Sequence, residues 1–248
     1  MSRLTNWFSY HTRKMPADLP RRGLGKWFQI LEERFMPLFW VNCVTMLWLA
    51  PCFAALFFLT QLWDVLSWGL SLVCFTLAGP GITAMHFVCM KIVRGIPVWW
   101  WDDYKASVRR DWKKSMELTL ALGLMWSAFV FAVRIVLGTD GALGYVQWGL
   151  FALCGYTMTG TTALGYLQLA NVELPLFNVI KNALLLSYAG KHSLRAVLFA
   201  ALCTLAAVRF YGYAPIAMLL GLYSVAVMTV ALMFYPTFED IFLSENEE

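Results

Sequence analysis

Charge is what this chain has least of. Only 14% of its 248 residues are charged, against about 25% in an ordinary soluble domain, while 60% are hydrophobic and 16% aromatic. So little polar surface cannot cover a globule of this size, so lipid must replace water over much of it. Cysteine is present without a pattern: Cys43, Cys52, Cys74, Cys89, Cys154 and Cys203 all fall in apolar runs, with no C-x-x-C pair and no His and carboxylate at ligand spacing. A disulfide framework and a zinc site are thereby disfavoured, which leaves these residues as small, polarizable packing groups.

Catalytic signatures are missing as well. No Gly-rich phosphate loop, Ser-x-x-Lys pair, H-E-x-x-H run or Ser-His-Asp order stands out, so no catalytic residue, metal or cofactor is expected and an enzyme is disfavoured. The segment 1–36 is polar and basic, without a short apolar core before a cleavage site. No signal peptide is expected, and the first apolar run directs insertion. Ionisable residues inside the apolar runs, functional hypotheses by default, reduce to His86, Glu117, Arg134 and Arg209. Each has a plain reading: a hydrogen bond from His86 to a neighbouring helix, an ion pair of Glu117 with Lys113 or Lys114, and snorkelling of the two arginines to headgroups.

What the chain does have is long apolar runs alternating with basic stretches. The runs are 37–62, 66–90, 115–137, 143–170, 194–210 and 213–235, each near the roughly 20 residues that cross a bilayer. Of 19 Lys and Arg residues, 17 lie in three stretches, 1–37, 91–114 and 171–195, leaving only Arg134 and Arg209 outside. The positive-inside rule places those stretches and both termini in the cytoplasm of a bacterial inner-membrane protein. The basic residues are interleaved with acids beside spans, so the partner they imply is anionic lipid rather than nucleic acid.

The fold expected is an all-α polytopic bundle forming one domain: six transmembrane helices in three hairpins (37–90, 115–170 and 194–235), joined by amphipathic cytoplasmic helices at 91–114 and 171–193. An acidic cytoplasmic tail, 236–248, follows. The start of the fifth span is the least defined boundary, with an earlier beginning near Asn182 or Leu184 open. Pro20, Pro97 and Pro175 recur at intervals of 77 and 78, each before an amphipathic stretch, which suggests a threefold internal repeat. Val98, Trp101, Tyr104, Val108 and Trp112 share one helical face there, the pattern of an interfacial helix.

Two segments carry a family resemblance. Gly79-Pro80-Gly81-Ile82-Thr83-Ala84-Met85, then Lys91-Ile92-Val93-Arg94-Gly95, Asp103-Tyr104 and Arg109-Arg110-Asp111-Trp112-Lys113-Lys114-Ser115, resemble the YesL-like family of bacterial membrane proteins. So does Pro175 followed by Lys181-Asn182-Ala183-Leu184. The family's compact Leu-Pro-x-x-Thr-x-Gly-Pro run is split here between Ala50-Pro51-Cys52 and Gly79-Pro80. Residues 57–75 therefore read as an insertion or a divergent hairpin. The resemblance implies association with carbohydrate uptake and no established biochemical activity.

From the residues themselves, Gly79-Pro80-Gly81 is expected to kink or unwind the second span, and Arg94-Gly95 to stop it. The fourth run combines Tyr156, Thr157, Thr159, Thr161, Thr162, Tyr166 and Gln168 with Gly155, Gly160 and Gly165, either a close-packing helix or one wall of a polar groove. Trp99-Trp100-Trp101 reads as an interfacial anchor. The functional expectation is a polar cleft between the second and fourth spans, walled by Gly79, Pro80, Thr83, His86, Thr157, Thr161 and Tyr166. Arg94, Asp103, Tyr104, Arg109, Trp112 and Lys181 would form a cytoplasmic face that couples it to a transport component. The alternative is a scaffold whose basic, Trp-rich face docks a cytoplasmic partner or anionic lipid.

Overall fold

A computed structural model of the chain describes residues 24–62, 65–137, 145–210 and 212–242. The basic N-terminal residues before Leu24, including Pro20, the connection at 138–142 between the expected third and fourth spans, and the end of the acidic tail lie outside the described residues. Within them the chain is all helical: α1 Leu24–Leu62, α2 Val65–Val93, α3 Trp100–Leu137, α4 Tyr145–Asn171, α5 Leu176–Leu186, α6 Gly190–Arg209, a short α7 Ala214–Ala217, a π-helical turn Met218–Leu222, and α8 Tyr223–Phe242. Five helical segments are long and apolar enough to cross a membrane: Leu24–Leu59, Val65–Val93, Trp100–Val136, Gly190–Arg209 and Ala214–Ile241. The expected fourth span, α4, has the length, with 27 residues at a rise of about 1.5 Å each, but its hydroxyl-rich sequence is less apolar than the other five.

The packing order is antiparallel where side chains report it. Along α2 and α3, Lys91 meets Asp103, Phe87 meets Arg110 and Gly79 meets Ser115. Along α3 and α4, Arg110 meets Ala170, Thr119 meets Tyr166 and Trp126 meets Thr162. Along α1 and the last helix, Trp27 meets Thr229 and Asn42 meets Ser224.

Three expectations about local structure are corrected. The second amphipathic stretch is not a separate interfacial helix: Trp100–Leu137 is one helix of 38 residues, about 57 Å long, roughly twice the hydrocarbon thickness. A single rod cannot both lie flat and cross. Its exposed stripe runs Asp102, Ala106, Arg109, Lys113, Glu117, then Leu120, Leu124 and Phe131, so the change from charge to hydrocarbon occurs along one face of one helix. Glu117 makes no ion pair with Lys113 or Lys114 among the described residues.

The second correction concerns unwinding at Gly79-Pro80-Gly81, through which α2 stays helical with Pro80 inside it. The glycines serve close approach instead. A Cβ on Gly79 would sit 2.6 Å from the Ser115 carbonyl oxygen of α3, and one on Gly81 would sit 2.6 Å from the Trp48 ring of α1. Backbone departures from helix occur elsewhere, at Arg34 in α1 (φ −122°, ψ 16°) and at Gly221 (φ +101°). The helix stop at Arg94-Gly95 is as read: Gly95 has φ +73°, and the Gly95 and Ile96 N–H groups donate to Ile92 and Lys91 carbonyls at 3.0 Å, a Schellman cap.

Third, the amphipathic stretches after the prolines do not share one local structure. Pro97 lies in the non-helical link before α3, whereas Pro175 is the N-cap of α5. That short helix folds back along α4, with Ala183 beside Gly165 and Ser187 beside Gly160. A turn at Ser187–Ala189 then separates it from α6, so the helix expected as the fifth span begins at Gly190.

Candidate functional site

The least ordinary feature of the bundle is an interruption in its last apolar helix. Between α7 and α8 the chain widens into a π turn and Gly221 takes a left-handed conformation that only glycine adopts without strain. Such a break frees backbone groups that hydrocarbon cannot satisfy. Asn42 of α1, wholly buried, supplies the partners: its Nδ2 donates to the Met218 carbonyl at 2.8 Å and to Leu219 at 3.4 Å, and its Oδ1 accepts from the Ser224 N–H at 3.1 Å. The Ser224 hydroxyl donates to the Gly221 carbonyl at 3.0 Å, and the Cys89 thiol of α2 lies 3.8 Å from the Ser224 carbonyl.

Beside this clamp, hydroxyl-bearing side chains converge from four helices. Tyr104 of α3 donates to the Gly81 carbonyl of α2 at 3.3 Å and lies at the same distance from the Thr45 hydroxyl of α1. Tyr166 of α4 shares a 2.7 Å hydrogen bond with Thr119 of α3. His86 stacks on Tyr166 with ring centroids 5.4 Å apart, and its Nδ1 is 2.8 Å from the Ile82 carbonyl of its own helix, not from a neighbouring one. Tyr223, the first residue of α8, packs against both clusters of buried side chains that contain these residues. Among the described residues no group of three metal-ligating side chains forms.

The expected cleft residues divide. Gly79, Pro80, Thr83, His86, Thr161 and Tyr166 are all buried, and Thr83 and Thr161 expose nothing. No water-sized space adjoins those two side chains, so the walls meet in packed contact rather than across an open cleft. His86 and Tyr166 are brought together. Thr157 is not part of that meeting: it lies toward the turn after α5, where its hydroxyl contacts that of Tyr188. Thr161 bonds the Thr157 carbonyl of its own helix at 2.8 Å. Gly160 packs tightly, since a Cβ there would lie 2.9 Å from both Ser187 and Val197 side-chain atoms.

The coupling face divides too. Arg109, Trp112 and Lys181 are exposed, but Tyr104, at 2% exposure, points into the core. Asp103 bridges two helix ends: it accepts from Lys91 Nζ at 2.7 Å and from the Trp99 N–H at 2.9 Å. Each charge of that pair lies at the helix terminus whose dipole favours it. Arg94 faces Tyr235 and Glu239 of α8; burial lowers its pKa, and those two groups act against the shift. Trp100 stacks on Trp40 of α1 at 6.0 Å, so the tryptophan run anchors α3 to α1 as well as facing outward.

Asn42, Thr45, Gly221, Tyr223 and Ser224 were not singled out from the sequence. The available signal was the amide of Asn42 near the start of the apolar run 37–62, where the other amide, Gln61, sits at the far end; an amide within such a run is costly unless bonded. No family model matches the chain, and no curated protein or solved structure matches it.

Proposed function

We propose that this chain is a multi-pass bacterial inner-membrane protein associated with transport, which handles a small solute at the interrupted last helix. The observation that carries this reading is the Gly221 break clamped by Asn42 beside Tyr104, Tyr166, Tyr223 and His86. Interrupted helices within membranes are tolerated where the freed backbone meets protein or a wet cavity, and such positions serve as binding sites in transporters. The packed arrangement described above is then the closed form. In this reading α4 also crosses, as the fourth of six spans, the six pair as three hairpins, and both termini face the cytoplasm with the basic residues. The resemblance to the YesL-like family points to carbohydrate uptake as the setting, with the chain as an accessory or a small carrier.

The test is flux in proteoliposomes. Vesicles containing the protein should equilibrate small polyols faster than protein-free vesicles, and Tyr223→Phe should slow that equilibration while leaving the melting temperature near wild type. No difference between protein-containing and empty vesicles would sink the reading. Orientation is tested by cysteine labelling in sealed cells: Asp140→Cys should react with an impermeant reagent from outside and Ala106→Cys should not. Ala106 is the informative inner position because Ser107, next to it, is buried.

A scaffold reading draws on a separate observation. Trp101 and Trp112 on the charged part of α3, and Trp99 just before it, are exposed together with Arg109, Lys113 and Lys114, a composition suited to anionic headgroups. Salt-sensitive binding to anionic vesicles, abolished by charge reversal at Arg109 and Lys113 in a protein without flux, would favour it.

A further inference from the structure

Nothing in the residues around Gly221 forces the last apolar segment to break. Ala217, Met218, Leu219 and Leu220 are good helix formers, and Pro215 sits in the first turn of α7, where proline is tolerated. Pro80 and Pro236 lie inside α2 and α8 with the helix maintained. Gly221 leaves the helix at φ +101° and ψ −3°, yet glycine accepts helical angles as well. A sharp break without an interior proline has another cause, such as a π turn or a side chain inserted into the hydrogen-bond ladder. Here the inserted side chain is that of Asn42.

Asn42 takes the place of bonds that the helix would make for itself. In a continuous helix the Ser224 N–H donates to the Leu220 carbonyl, and the Met218 and Leu219 carbonyls accept from the Leu222 and Tyr223 N–H groups. Instead the Ser224 N–H donates to Asn42 Oδ1 at 3.1 Å, and Asn42 Nδ2 donates to Met218 and Leu219 at 2.8 and 3.4 Å. One amide thus bonds both sides of the break, and the two sides are held unequally. On α8, Met228, Ala231 and Phe234 are wholly buried, and the helix lies against α1, α2 and α6. Before the break, Tyr213, Ile216, Leu219 and Leu220 are each more than half exposed, and outside the last helix that stretch packs appreciably on α1 alone. Gly212, at its other end, has open space where a Cβ would stand.

We propose that the last helix is a two-state element: broken, with Asn42 bonded across the gap, or continuous, with Gly221 at helical angles and the Asn42 amide released. The backbone groups that bond Asn42 in one form bond one another in the other, so neither form leaves them unpaired. Two things change. The Asn42 amide must find a new partner in the continuous form, and α7 swings about Gly221 while α8 stays on the core, the behaviour of a hinge between discrete arrangements. Use of this swing to open the closed form rests on the solute-handling reading given above; the switch itself does not.

Two measurements on the full chain in nanodiscs test the switch. Gly221→Ala acts through the backbone, because a Cβ there would lie 3.9 Å from the Phe39 ring, an ordinary contact. Alanine disfavours positive φ and favours helix, so the variant should populate the continuous form. In a double-mutant cycle, the fall in melting temperature caused by Asn42→Leu should shrink to less than half in the Gly221→Ala background, since a continuous helix does not need the amide. A fall of similar size in both backgrounds would show a fixed clamp and overturn the proposal. The second measurement does not depend on that variant. Spin labels carried by p-acetylphenylalanine at Leu47 and Ile216, which leave the six cysteines in place, should give two distances in the otherwise native chain, and a pair at Leu47 and Ile241 of α8 should give one. A single distance for the first pair would overturn the proposal and leave any polyol flux untouched. Two distances without polyol flux would defeat the transport reading alone.

Discussion

From Val65 to Leu77, α2 has only Ser67 and Ser71 buried, whereas from Ala78 to Met90 every residue is buried. The same contrast divides α4, where residues 146–154 are almost all exposed and 164–170 all buried. The exposed halves carry Leu66, Leu70, Val73 and Leu77 on α2 and Val146, Trp148, Leu150 and Leu153 on α4, side chains that lipid can cover. The buried halves hold Thr83, His86 and Gln168, and Thr161, Asn42, Thr45, Ser115, Thr119 and Ser224 are buried with them. One region of the bundle is therefore completed by its solvent and the other by itself. Hydrocarbon gives no hydrophobic drive for helix association, so close approach and hydrogen bonds must hold the self-packed region, and Gly79, Gly81 and Gly160 permit that approach.

The largest expected effect is at the clamp. Asn42→Leu strands the Met218 carbonyl and the Ser224 N–H and loses the longer Leu219 contact; at about 1–3 kcal/mol for each buried group left unpaired, destabilisation of about 4 kcal/mol is expected in denaturant titrations in mixed micelles. A loss below about 1 kcal/mol would mean that the break satisfies itself. Next comes a pair on one helix: Met85→Ala, in the wholly buried half, should cost about 3 kcal/mol. Leu70→Ala, at 49% exposure in the other half, should cost far less because lipid fills the space. Equal costs would erase the contrast between the halves.

A gentler comparison uses two glycines of α2. Gly79→Ala meets the backbone of α3 and should destabilise by about 1–3 kcal/mol, while a Cβ at Gly69 meets nothing within 4 Å and Gly69→Ala should be neutral or stabilise by up to about 1 kcal/mol. The smallest effect is expected at the helix-end bridge. Lys91→Met removes a half-buried pair of 2.7 Å but leaves Asp103 bonded to the Trp99 N–H, so about 1 kcal/mol is expected, read as a small shift in melting temperature. A shift as large as that of Asn42→Leu would place the anchor of the bundle at its charged end instead.

Several features followed from the chain's residues alone. A composition this poor in charge dictates lipid contact; helices long enough to cross follow from uninterrupted apolar runs, because each backbone group must bond within its own segment. The stop at Arg94-Gly95 was legible because it is local: a glycine at φ +73° and two short-range hydrogen bonds make it. The role of Gly79-Pro80-Gly81 was not, since the same residues suit a kink or a close contact, and only the placement of Ser115 and Trp48 against them selects the contact. Nor could any local pattern reveal the break at Gly221, 179 positions after Asn42 in the numbering, because an apolar run reads as one helix until a distant amide makes the interruption affordable. Tyr104 shows the limit most directly. Its helical face is set by a period of 3.6, but whether that face meets water or the core depends on where α1 and α2 lie, and that was decided by packing between segments distant in sequence.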